Sequence, residues 1–327
     1  MRFRFFARCA FTTFATIATI ATTSGLCAED ARSAKSVDLP DMELVKLNAY
    51  AQMKGEVARE PSGMVKSRTH PNLYWTLNDS GDGARIFPVA QNGEIRKGRT
   101  KGVPILGAFN VDWEDMTIDN HGHIIVGDVG NNSQARRDLT LYWVPEPNLV
   151  DKQVSVLRKL VFTYPDYPDP SELPARTRNY DCEGIWWANG KVYVVTKNRS
   201  DSLTHLYRLD SEDPFRVNIL TYLDTFDIGG ETTAAAASPD GTKVAITTYT
   251  AIWLFEVAPG KDNYFDGKIS WLPIDTFTEG ERMPYGQNES VCFDGDKLVI
   301  SSGEAALIPI GGNLYEVPLS DLIVVQE

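Results

Sequence analysis

The stretch that decides the fold is Asn110-Val-Asp-Trp-Glu-Asp-Met-Thr-Ile-Asp-Asn-His-Gly-His-Ile-Ile-Val-Gly-Asp-Val-Gly-Asn-Asn132. Two short apolar runs, 116–118 and 124–126, flank a polar turn, and the carboxylates Asp112, Glu114, Asp115 and Asp128 stand at the two outer ends. Short apolar runs bounded by turn residues read as an antiparallel hairpin. In such a pair the start of the first strand lies beside the end of the second, so Glu114 and Asp128 are predicted to share one sheet edge.

The same pattern recurs on both sides. An earlier copy runs from Glu60-Pro-Ser-Gly through a turn at His70-Pro-Asn, a strand at 73–77, Asn78-Asp79-Ser-Gly-Asp82, and a strand at 85–89. Later copies begin at Asp181-Cys-Glu183-Gly, Thr232-Thr233-Ala-Ala and Asn288-Glu289-Ser, with turns at Ala188-Asn-Gly, Ser238-Pro-Asp-Gly and Asp294-Gly-Asp. Further apolar runs follow, such as 161–164, 219–223 and 269–272. Four strands per unit, repeated at roughly 50–70 residues, are the signature of β-propeller blades. The sequence therefore predicts an all-β, five-bladed β-propeller, with a sixth blade left open by the long stretch 139–180. Little chain follows the fifth copy, so a strand at 42–50 is expected to close the ring and remove exposed sheet edges.

Working outward to the N-terminus, Arg2, Arg4 and Arg8 precede an Ala/Thr/Ile/Phe stretch that ends at Leu26-Cys27-Ala28. This reads as a signal peptide over 1–28, hence a periplasmic or secreted protein. Leu26 directly before Cys27 fits a lipoprotein signal poorly, and lipidation there is left open. A small, polar, flexible leader is expected at 29–41 and a single propeller domain at 42–327. No second long apolar run follows, which argues against a membrane span.

The 327-residue chain carries a formal charge of −12, and losing the three arginines takes it to −15. That balance argues against nucleic acid or an anionic membrane as partner and suits cations, or substrates delivered with them. Only Cys182 and Cys292 lie beyond residue 28, so no disulfide framework is implied, and both are expected as buried thiols in blades that are not neighbours. The chain is expected to act as a monomer.

In a propeller the innermost strands run along a central channel and bring equivalent residues into rings. One ring is predicted from Glu60 or Ser62, Glu114, Glu183, Thr232 or Thr233, and Glu289. A second comprises Asp79, Asp128, Lys197, Tyr249 and Ser302. The spacing from Glu114 to Asp128 equals that from Glu183 to Lys197, fourteen residues in each. Carboxylates gathered this closely raise one another's pKa unless a counter-charge intervenes. A hard cation answers that need, and an all-oxygen ring with hydroxyls suits Ca2+, which takes six to eight oxygen ligands. Asp128 or Asp115 is the expected general base. Lys197, Tyr249 and Asp79 are assigned to a small anionic substrate, together with Arg178 and Arg282 from long connections over the same face. The bland alternative has the acids spread along a hydrated channel, bonding only neighbouring backbone.

Other signals weaken. His121 and His123 fall in the turn on the opposite face, so no histidine is placed for a nucleophilic relay. There is no Gly-x-Ser-x-Gly elbow, no phosphate-cradling glycine loop and no zinc-spaced cysteine set.

Asn-Asp-Ser-Gly-Asp at 78–82, Asp-Trp-Glu-Asp at 112–115, Gly-Asp-Val-Gly-Asn at 127–131, Arg-Asn-Tyr-Asp-Cys-Glu-Gly at 178–184 and Ser-Pro-Asp-Gly at 238–241 resemble a group of exported bacterial β-propeller proteins of largely unassigned function. The order Ser62, Glu114, Glu183, Thr232 or Thr233, and Glu289 is similar to the central calcium ring of five-bladed calcium-dependent apyrases, which hydrolyse nucleoside diphosphates. Phytase-like propellers are a looser parallel. The apyrase pattern has serine where threonine stands here, and its substrate positions find no match. The resemblance implies a channel-mouth calcium and a metal-dependent phosphate-ester hydrolase. The competing expectation is a non-catalytic propeller that binds a glycan, peptide or cell-envelope partner.

Overall fold

A computed structural model describes residues 34–168, 179–275, 287–303 and 312–327. The stretch 1–28 expected as a signal peptide, with Cys27, and the positions of Arg178 and Arg282 lie outside the described residues. Five antiparallel sheets form the blades of a propeller. Blade I comprises Pro61–Lys66, Leu73–Asn78, Arg85–Ala90 and Val103–Leu106, and blade II Trp113–Ile118, His123–Asp128, Leu139–Pro145 and Arg158–Thr163. Blade III comprises Asp181–Ala188, Lys191–Lys197, Leu203–Leu209 and Thr221–Asp227, and blade IV Thr232–Ala237, Lys243–Thr248, Ala251–Glu256 and Lys268–Asp275. Blade V comprises Asn288–Asp294, Lys297–Ser302 and Asn313–Pro318, completed by Ala51–Gln52 from the N-terminal region. Within 139–168, Leu139–Pro145 and Arg158–Thr163 are outer strands of blade II and Val154–Ser155 adds to the edge of blade I, and no sixth sheet occurs among the described residues.

Closure from the N-terminal side is as expected, but a later segment performs it. Ala51–Gln52 pairs antiparallel with Asn313 and Leu314, flanked by bonds from the N–H of Tyr50 to Leu314 O (2.9 Å) and from the N–H of Met53 to Gly312 O (2.7 Å). Val45–Lys46 instead lies parallel to Ile274 and Asp275 at the edge of blade IV, where Ile323–Gln326 also pairs. Part of the expected leader is docked: Lys35 bridges Phe226 of blade III, and Val37 packs on the core between blades III and IV, as does Met42 just after it. These additions cover outer edges that would otherwise offer unpaired backbone.

The strands form where the sequence supplies β-branched and aromatic residues, and the second strands of the blades are buried almost throughout, as in Leu73–Asn78 and Lys191–Lys197. Turn residues punctuate them. Asn189 and Gly190 both take positive φ (51° and 75°), the geometry of a two-residue hairpin turn that only such residues adopt cheaply. Five apolar clusters fill the spaces between consecutive blades, and the fifth, with Met64, Tyr74, Cys292 and Leu314, joins blade V to blade I. Trp186, Trp253 and Trp271 belong to the cluster between blades III and IV, and Trp186 stacks on Tyr193 at 5.3 Å. Cys182 and Cys292 are buried free thiols in blades III and V.

One irregularity is common to all five innermost strands. The register slips by one residue at Gly63, Glu114, Glu183, Thr233 and Glu289 in blades I to V. A bulge leaves one residue out of the ladder and re-aims its side chain. The five bulges therefore define the ring, and in blade I its member is Gly63 rather than Ser62 or Glu60. Gly63 has φ +54°, and a Cβ there would meet the backbone of Asp115 at 2.8 Å, so blade I cannot offer a carboxylate at this level.

Candidate functional site

The bulges open on a cavity of about 280 Å³ at the channel mouth, walled by Glu60, Ser62, Asp79, Glu114, Asn132, Glu183, Lys197, Arg199, Tyr249 and Glu289, among others. Most of the acids predicted from the repeat meet here. Thr232 and Thr233 are not part of the wall. Thr233 Oγ1 lies 3.0 Å from Thr247 Oγ1, buried inside blade IV, and the Thr232 hydroxyl is buried without a partner among the described residues. The Ser62 hydroxyl donates to the backbone carbonyl of Glu114 and so ties blade I to blade II.

Neither expected general base reaches the cavity wall. Asp115, next to the bulged Glu114, is fully buried and turned into the contact with blades III and IV. It accepts the N–H of Met116 (2.8 Å) and of Ile185 in blade III (2.8 Å), and the N–H of Ala235 in blade IV. Burial pushes this acid well above the usual carboxylate range, against the pull of those three donors. Its role is to fasten three blades together.

Asp128 is displaced for a different reason. The tight turn at Asn189-Gly190 makes the blade III hairpin one residue shorter than that of blade II. Asp128 therefore pairs with Trp113, while its register equivalent in blade III is Thr196, paired with Cys182. Lys197 is one step further along, on the other face of its strand. Asp128 instead forms an ion pair with Arg136 Nη1 at 3.0 Å and accepts the N–H of Asp112 at 2.9 Å. The equal fourteen-residue spacing conceals this offset.

The same register identifies residues that the pattern analysis left unassigned. Two positions before each bulge stand Pro61, Asp112, Asp181, Glu231 and Gln287. The recurring Asp-x-Glu of blades II and III was the available signal. Two groups of three carboxylates result, Asp79 with Asp112 and Glu114, and Glu114 with Asp181 and Glu183. Within each group the potential ligand oxygens lie within 4.8 Å of one another. Glu114 belongs to both, and no such group among the described residues includes Glu289. Glu114, Glu183 and Glu289 all line the cavity, and the two groups with oxygens this close both include Glu114.

Burial pushes Glu114 well above the usual range, and the charges pressing hardest on it are all carboxylates: Glu183, Asp79, Asp181 and Asp112. Asp112 is pushed up to about 6 by burial, then by Asp79 and Asp181. Glu183 is raised by burial, although Lys197 pulls it back. Gly130 leaves room for the group, because a Cβ there would collide with Glu114 Oε1 and Asp112 Oδ2. Among the described residues, two cationic side chains line the cavity. Lys197 Nζ sits 3.1 Å from Glu183 Oε1 and 5.2 Å from the centre of the Tyr249 ring. Arg199 Nη2 sits 2.8 Å from Asp181 Oδ2, and Arg199 also bonds Asn132.

On the far side of the propeller, His121 and His123 stand in the blade II turn, where Asp119 binds both N–H groups and His123 Nδ1 (3.0 Å). No helix among the described residues is long and apolar enough to cross a membrane.

No protein-family model matches the chain, and no curated protein matches it. Solved structures do. A calcium-binding protein, regucalcin, from Agrobacterium tumefaciens str. C58 matches at 12% identity over 88% of this chain and 98% of that chain, with a TM-score of 0.42. Chaetomium thermophilum Sqt1, solved bound to the N-terminus of ribosomal protein L10, matches at 16% identity over 79% and 72%, with a TM-score of 0.32. The β-propeller domain of Myceliophteria thermophila Cps50 (Swd1) matches at 13% identity over 81% and 72%, with a TM-score of 0.37.

Proposed function

We propose that the channel mouth is a divalent-cation site of the calcium type, in an exported protein, through which a small phosphate-type anion is bound and hydrolysed. The observation that carries this reading is Glu114, a buried carboxylate whose strongest charged influences are four other carboxylates. Such an arrangement is unfavourable until a cation is added. The donors are all oxygens, which suits calcium better than a metal that prefers nitrogen or sulfur. When bound, such a cation supplies Lewis acidity and charge for the reacting phosphoryl group.

The chain's own residues would do the rest. Arg199, at 29% side-chain exposure, offers a guanidinium at the wall for the anion's oxygens, and Asn132 beside it offers an amide. Tyr249 and Lys197 also line the cavity, with Lys197 and Arg199 both beside Glu183 Oε1. A second reading, a non-catalytic module that uses the same cation to hold a glycan, peptide or envelope partner, is favoured by one observation. The two carboxylates expected to take a proton from water, Asp115 and Asp128, are engaged elsewhere.

A phosphate-release assay separates the two. Nucleoside diphosphates, phytate and aryl phosphates are expected to give calcium-dependent turnover that chelator abolishes and that Glu114→Gln loses. Calcium binding without turnover on the whole panel would leave the binding module standing and dismiss the hydrolase.

A further inference from the structure

The mouth carboxylates differ in what already neutralises them. On the blade III side, Arg199 bonds Asp181 Oδ2, and the other oxygen of Asp181 accepts the N–H of Asn131 at 2.6 Å. Lys197, only 5% exposed, donates to Glu183. Against the downward pull of burial, Glu183 and Glu289 hold its ammonium charged. A compact, permanently charged ammonium among these acids occupies the electrostatic role that a metal ion would otherwise fill.

The side toward blades I and II differs at one carboxylate, Glu114. Asp79, Asp112 and Glu114 bring carboxylate oxygens within 4.8 Å of one another. Glu114 is 5% exposed, and no N–H or O–H among the described residues donates to its carboxylate. A buried carboxylate aimed into such a group, with no donor of its own, is the strongest sign of an absent positive partner. Gly130 removes the one side chain that would fill the space beside Glu114 and Asp112.

We propose that Lys197 is the resident counter-cation of the Glu183 and Glu289 half of the ring, and that the mouth takes one exchangeable divalent cation, off the channel axis, on Asp79, Asp112 and Glu114. This rests on the cation reading above and places the ion within it. Lys197 is then a specificity-determining residue: it fixes the number of ions at one and their position beside blade II, and it is not available to grip a substrate anion.

Calcium binding by the purified protein, measured by equilibrium dialysis, tests the placement. Wild type is expected to bind one equivalent. Glu289→Gln is expected to keep that equivalent with affinity changed less than about tenfold, whereas Asp112→Asn should lose more than the roughly tenfold to hundredfold typical of changes outside the ligand set. Lys197→Met is expected to gain a second equivalent, and Lys197→Arg, which keeps the charge, to remain at one. Should Lys197→Met fail to fold, the contrast between Glu289→Gln and Asp112→Asn decides the matter. Loss of binding in Glu289→Gln with retention in Asp112→Asn would put the ion on the axis and overturn the proposal, as would two equivalents in wild type or no gain in a folded Lys197→Met. No binding at all in wild type would instead dismiss the cation reading itself.

Discussion

Glu114→Gln is expected to abolish the calcium-dependent rise in melting temperature while raising the melting temperature measured in chelator. Both effects follow from the placement of this residue. In the cation-free protein, burial and four neighbouring carboxylates push Glu114 well above the usual range, so its ionisation opposes folding. Removing the charge relieves that opposition, and each kcal/mol relieved is worth roughly 2–4 °C for a domain of this size. Calcium reverses the sign for wild type alone. At about a hundredfold excess over its dissociation constant a ligand stabilises by about 2.7 kcal/mol, and the glutamine variant has lost the ligand on which this depends.

The pH dependence has a defined direction. A carboxylate whose folded pKa is raised contributes stability that is fully present below the unfolded value, about 4, and is lost as pH rises through the folded value. For Asp112 that window runs from about 4 to about 6, and for Glu114 and Glu183 it extends higher. In chelator, melting temperature is therefore expected to fall from pH 5 to pH 8 through these groups. The calcium-induced rise should be larger at pH 8 than at pH 5. A calcium shift independent of pH, or one retained in Glu114→Gln, would contradict the account.

The second large effect is structural. Asp115→Ala removes the acceptor of three backbone N–H groups that belong to blades II, III and IV, at a fully buried position. Leaving buried donors unsatisfied costs about 1–3 kcal/mol each, so a loss of about 4 kcal/mol or more is expected, a fall of roughly 8–16 °C. Asp115→Asn should not rescue it, because an amide NH2 would face groups that are themselves donors. Thermal unfolding of both variants checks this. A folded, wild-type-stable Asp115→Asn that lacks activity would restore this residue to the chemistry.

The blades were legible in the sequence because strand alternation and turn residues such as Asn189-Gly190 act locally. Glu114, Glu183 and Glu289 were legible as ring members for the same reason: each begins a repeat. Register was not. A single residue less in the blade III turn put Asp128 and Lys197 on different faces, and equal spacing gave no sign of it. The closing strand lies a few residues later than expected: Ala51–Gln52, just beyond the alternating run 42–50, is what pairs with blade V. Asp112 and Asp181 lie two positions before the bulges, and their importance emerges only when the bulges are seen to align. Arg199 follows Lys197 by two residues in a polar loop, with no pattern to mark it as the partner of Asp181. Asp115 looked chemical because it adjoins Glu114, yet the bulge turns Glu114 to the cavity while Asp115 stays in the ladder and accepts backbone N–H groups.

The account stands most directly on one measurement, the calcium-binding isotherm of the wild-type protein at neutral pH beside that of Glu114→Gln. One saturable equivalent in wild type, absent from the folded variant, is the result it predicts. An isotherm without saturable binding in wild type, or the same isotherm for both proteins, would contradict it.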